Sequence, residues 1–187
     1  MKNTINRTMT GLLAAAALAC SFSAQATAPR ITPQLFGEEQ KADIVGYESA
    51  PINAATRSEN ALEVEIVTEA YKAEGKTPRI DVLPSKQLAT YALINNDAQG
   101  LIGTLQDLAS QDRKQYRQVT FYLGASKDKP VALIFSKAHG NELYQAFNEG
   151  LQKIVNSGEY MTILHKYHDK VSADYLGRLK RHNPGWK

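Results

Sequence analysis

Short apolar runs alternate with longer segments of helical periodicity along most of the chain. This alternation restricts the fold more than any other feature of the sequence. Residues 42–47, 79–83, 100–103, 118–123 and 131–135 are runs of strand length. Between the first two, Thr56-Arg57-Ser58-Glu59 fits a capping box, in which hydroxyl and carboxylate satisfy the free amides of a helix start. That helix carries Leu62, Ile66 and Ala70 on one stripe, widened by Val67 and Tyr71, and Gly75 suits its left-handed end. Pro84 stops the next strand, and Ser85 is placed to cap a helix bearing Leu88, Tyr91, Ala92 and Leu93. Residues 105–115 predict a strongly polar helix. Leu143, Phe147, Leu151 and Ile154 form the stripe of a long helix that Asn156-Ser157-Gly158 closes. Tyr160, Ile163, Leu164 and Tyr167 form the apolar face of another. Strands alternating with helices predict an α/β layer built on a largely parallel sheet, with helices on both faces.

Residues 1–26 stand outside this pattern. Lys2 and Arg7 precede a run of Leu and Ala over residues 9–22, and Ser23-Ala24-Gln25-Ala26 follows. Basic, apolar and small-x-small segments in that order make a secretory signal, with cleavage expected after Ala26. The run falls short of the roughly 20 residues that span a bilayer. Leu18-Ala19-Cys20 also faintly matches a lipoprotein signal, although Leu18 sits one place too close to the cysteine. Residues 27–41, with Pro29 and Pro33, read as a loose leader ahead of a lobe over residues 42–170 and a basic tail over residues 171–187.

Cys20 is the one cysteine, so removal of the signal leaves a chain without disulfide, Cys-metal site or Cys nucleophile. Lys2 and Arg7 leave with it, so the 22 basic residues fall by two, to 20, against 19 acidic ones. A net charge near zero gives no ground for a nucleic-acid partner, and no second apolar stretch is long enough to span a membrane. The sequence contains no G-x-S-x-G, P-loop or H-E-x-x-H pattern, and nothing in it points to an enzyme. His165 and His168 stand three apart on a predicted helix with Asp169 beside them. A surface or partly packed pair is the plainer reading than a metal site, and no cofactor is expected.

The order of these segments resembles the bacterial extracellular solute-binding proteins of family 3, the amino-acid-binding type. The resemblance spans about residues 43–167. It rests on a strand ending near Tyr47 and Pro51, a helix containing Glu63-Val64-Glu65-Ile66-Val67, a strand ending in Leu83-Pro84, and Gly100-Leu101-Ile102-Gly103. Ser110-Gln111-Asp112-Arg113 is similar to that family's Thr-x-Glu-Arg element. Asn148-Glu149-Gly150-Leu151 through Ser157-Gly158-Glu159-Tyr160 and Lys166-Tyr167 resembles its closing helices. A full family member inserts a second lobe where this chain has only residues 124–130. The resemblance therefore implies a single lobe, whose leaving and returning strands form an antiparallel pair about that turn. The acidic residue usual near the third strand is absent at Gly100.

Ligands of open α/β sheets bind beyond the carboxyl ends of the strands. On that basis Tyr47, Glu48, Ser85, Thr104 and Arg113 are the expected ligand-binding residues, with Ser49, Lys86 and Gly103 beside them. The resemblance assigns Arg113 a ligand carboxylate, for which its planar fork is suited. Read alone, Arg113 is also one charge among Asp112, Lys114 and Arg117 on a solvated helix, and Tyr47 is equally a stacking platform or a strand-end core residue. Ser85 at a helix start adds free amides that suit an anion. In the tail, Val171, Tyr175, Leu176 and Leu179 interleave with Lys170, Arg178, Lys180 and Arg181. The stripe packs on the lobe with its basic side in water, or docks on a partner or an anionic surface. The resemblance implies a periplasmic protein that reversibly binds a small amino-acid-like or carboxylated solute, as for an ABC transporter. The alternative is an envelope adaptor with an inner-membrane or envelope protein partner and no remaining solute binding.

Overall fold

In the computed structural model, residues 41–48, 59–124 and 130–186 are described. The expected export leader with Cys20, residues 27–40, Ser49, Pro51, residues 56–58 of the expected capping box and residues 125–129 of the expected turn lie outside them. Five strands, β1 (Ala42–Tyr47), β2 (Ile80–Leu83), β3 (Ala98–Gly103), β4 (Tyr116–Phe121) and β5 (Val131–Ser136), form one sheet in the order β2-β1-β3-β5-β4. β1 pairs in parallel with both β2 and β3, whereas β5 runs antiparallel to β3 and to β4. The sheet is thus mostly parallel with one reversed strand, consistent with a single periplasmic-binding-protein-like lobe.

Helices α1 (Glu59–Lys72), α2 (Lys86–Ile94), α3 (Asn141–Ser157), α4 (Glu159–Tyr167) and α5 (Tyr175–His182) cover the sheet unequally. Successive strand residues point to opposite faces, so Ile44 and Val45, Leu101 and Ile102, and Leu133 and Ile134 divide between two cores. Ile44, Ile102, Leu133 and Phe135 join Leu62, Ile66, Phe147, Leu151 and Ile163 beneath α1, α3 and α4. Val45, Leu101 and Ile134 meet Ala89, Ala92 and Leu93 of α2 on the opposite face. Central strands buried on both faces explain why the sequence of β1 and β5 is nearly continuous in apolar or small residues.

Local chemistry sets several boundaries. The Ser85 hydroxyl accepts a hydrogen bond from the Leu88 amide at 3.3 Å, as its position before α2 predicts. Gly158, at φ +83°, ends α3 and starts α4, a turn a side chain would strain. The pair β4–β5 runs in register from Tyr116↔Ser136 to Phe121↔Val131, so both strands lead into the region of residues 124–130.

Residues 105–115 differ from the expected helix. They form two 3-10 turns, Leu105–Asp107 and Arg113–Gln115. Leu108 between them is extended and buried in the α2-side core. Anchoring that side chain under the sheet outweighs the weak periodicity of a segment whose other residues are mostly polar.

The tail is part of the lobe. Tyr175 and Leu179 are buried, and the rings of Tyr160 and Tyr175 stack at 5.9 Å. β4 is an edge strand, and edges expose unpaired backbone groups. Here the Asn183 side chain accepts from the Thr120 amide at 3.0 Å and donates to the Thr120 carbonyl at 2.8 Å, standing in for a neighbouring strand. Two residues on, the Tyr160 hydroxyl accepts from the Tyr122 amide at 2.9 Å and donates to the Tyr122 carbonyl.

Candidate functional site

The chain leaves β1 by way of α1 on one face of the sheet and leaves β2 by way of α2 on the other. The carboxyl ends of β1 and β3 therefore flank the point where the connections change sides, which in open α/β sheets is where a crevice forms. Tyr47 is the last residue of β1, and Thr104 directly follows β3.

Both converge on Asp107. Its Oδ2 accepts from the Thr104 amide at 2.8 Å and from the Tyr47 hydroxyl at 3.3 Å. Its Oδ1 lies 3.3 Å from Lys86 Nζ, and the carboxylate side chain is only 9% exposed, against 50% for Lys86. Gly103 makes room for this approach, because a Cβ there would stand 2.9 Å from Oδ2. Burial first, and then the negative charges of Asp107 and Glu63, push the Tyr47 hydroxyl up to about 12, so it remains a proton donor throughout the neutral range. A nearly buried carboxylate with one polar phenol, one amide and one half-exposed ammonium can hold a cationic group or staple three loop ends together.

The other expected residues distribute around it. Ser85 starts the helix whose first residue, Lys86, reaches Asp107, so it joins the cluster through its neighbour. Its hydroxyl is engaged in the cap. Glu48 is exposed beside Tyr47, with its amide donating to the Leu83 carbonyl at 3.0 Å. Arg113 is half-buried in the second 3-10 turn, which leads into the amino end of β4. Its Nε donates to the Leu108 carbonyl at 3.2 Å, a contact within its own segment rather than with the Asp107 cluster.

Asp107 itself was not among the residues expected from sequence. The signal for it is Thr104-x-x-Asp107, the spacing of a capping pair at a helix start. A segment read as one continuous helix hides a cap in its first turn.

Next to the cluster, on the α2 side of the sheet, lies a cavity of about 430 Å³ that shares Thr104. Gln106 of the first 3-10 turn, β4, Pro130 and Ala132 at the start of β5, and the end of α5 also line it, with Thr120 and His182 among the residues involved. Among the described residues no group of three or more His, Cys, Asp or Glu side chains converges as a metal site. His165 is exposed, and His168 lies near Gly124. No helix among the described residues is long and apolar enough to cross a membrane. No protein-family model matches the chain, and no curated protein matches it.

Proposed function

We propose that this chain is a periplasmic solute-binding-like protein, exported through a cleaved leader over residues 1–26, that recognises a small amino-acid-like or carboxylated solute without covalent chemistry. The observation that carries the reading is the charged and hydrogen-bonding cluster of Tyr47, Lys86, Thr104 and Asp107 at the crevice between the carboxyl ends of β1 and β3. An α-ammonium group matches the Asp107 carboxylate, and a carboxylate matches Lys86 or the amides at the start of α2. A single lobe covers its ligand from one side, where a solvated ion pair contributes about 0–1 kcal/mol, so the affinity is low.

A second reading, an envelope adaptor whose partner supplies the opposite wall, draws on a separate observation. Asp107 already has three protein partners, which leaves little of it for a solute. Thermal unfolding of the purified chain across a panel of amino acids and organic acids separates the two, because a ligand of the folded state raises stability. Saturable stabilisation that Asp107→Asn abolishes supports solute binding. A flat panel, with capture of an envelope protein that residues 171–187 or the Asp107 face controls, supports the adaptor.

A further inference from the structure

The 430 Å³ cavity is within the usual range for small-molecule sites, yet it differs chemically from the cluster beside it. Its polar lining consists of Thr104, Gln106, Gln118, Thr120 and His182. Among the described residues, Pro130 and Ala132 add apolar surface to it. Among the described residues no Asp, Glu, Lys or Arg lines it.

Pairing of β4 with β5 positions three of these residues. Gln118 and Thr120 lie two apart on β4 and so share the face that Ala132 of β5 also presents, in register with Thr120. His182 is the last residue of α5, held by its neighbour Asn183, whose amide is clamped to the Thr120 backbone. The His182 ring also meets Tyr122 edge-on at 6.0 Å. The tail therefore supplies a wall that the sheet alone lacks.

We infer that this cavity is a binding site for an uncharged polyhydroxyl molecule of about monosaccharide size. Hydroxyl and carboxamide side chains each offer both donors and acceptors, and so does every ligand hydroxyl. A charged ligand would lose hydration without meeting an opposite charge among the described lining residues. The apolar surface of Pro130 and Ala132 suits the C–H face of such a molecule. This inference goes beyond the solute reading above and can fail separately from it.

The test is amide-resolved NMR of the full chain during titration with D-glucose, D-mannitol, glycine and acetate. Saturable shifts centred on Thr104, Thr120 and Ala132 with a polyol, absent with acetate, are the expected result. Glycine reports on the Asp107 cluster instead, through Tyr47 and Lys86. Gln118 is exposed, so Gln118→Leu leaves the fold intact and weakens polyol binding by about fivefold, the loss of one ordinary hydrogen bond. Absence of saturable polyol shifts at these amides, equal binding of acetate there, or unchanged affinity in Gln118→Leu would each overturn the assignment.

Discussion

Gly150→Ala should destabilise this protein, although the local rule for helices gives the opposite sign. Gly150 lies well inside α3, where replacing glycine with alanine ordinarily adds about 1 kcal/mol of helix stability. In the folded chain, however, a Cβ at this position would stand 1.9 Å from the Ala70 carbonyl oxygen of α1, where real contacts essentially never fall below 3.0 Å. The obstacle is backbone, so no rotamer change relieves it, and the two helices must separate by about 1.1 Å to go from 1.9 to 3.0 Å. That separation loosens the contact between Tyr71 and Phe147, whose rings are 5.7 Å apart, in the larger core. Overpacking a well-filled core costs about 1–3 kcal/mol and sometimes more, and a backbone clash belongs at the upper end. Set against the propensity gain, the net loss is about 2–3 kcal/mol. At roughly 2–4 °C per kcal/mol for a domain of this size, Tm falls by about 5–10 °C. Urea unfolding monitored by circular dichroism measures it directly, with a lower midpoint and an unchanged slope. A neutral or stabilised Gly150→Ala protein would show that α1 and α3 do not approach as closely as described.

Asn183→Ala strips both partners from the buried Thr120 backbone and should cost about 2–6 kcal/mol in the same assay, since each of the two orphaned buried groups costs about 1–3. Asn183→Asp keeps an acceptor for the Thr120 amide but sets a carboxylate against its carbonyl, so at neutral pH it should be no more stable than the alanine variant. Tyr47 has its folded-state pKa raised from 10.0 to about 12, so the stability this shift represents is complete below pH 10 and is lost as pH rises through about 12. Tyr47→Phe should flatten that part of the alkaline unfolding profile; an identical profile would place the sensitivity elsewhere, for instance at Tyr71, which burial and then Asp43 raise further. Should the lobe bind a carboxylated solute through Arg113, Arg113→Lys would weaken binding by about 1–3 kcal/mol in calorimetry, and equal affinities would remove that side chain from the site. Exported material should have Thr27 as its first residue by intact mass, and a lipid on Cys20 would overturn that assignment.

Helix and strand order was legible because it depends on neighbours in sequence. Apolar spacing in α1, α3 and α4 marks faces that any folded form of this chain must bury. Ser85 and Gly158 act through amides and dihedral angles within a few residues. The resemblance, with only residues 124–130 where a second lobe would stand, implied a reversal between the two runs, and β4 and β5 pair antiparallel. What tertiary structure alone decided concerns partners distant in sequence. Asn183 meets Thr120 across 63 residues, Tyr160 meets Tyr122 across 38, and Tyr47 meets Asp107 across 60. Before folding, Asn183 is one polar residue in a basic tail, and Gly150 is a weak point in a helix. Their roles arise when the sheet exposes an edge at β4 and when α3 settles onto α1. The span from 105 to 115 failed as a helix for a related reason: the gain from burying Leu108 depends on a core that the segment does not itself contain. A side chain's local preference is written in its own stretch of chain, whereas the free energy of burying it, or of satisfying a backbone group with it, is set by whatever the fold brings to meet it.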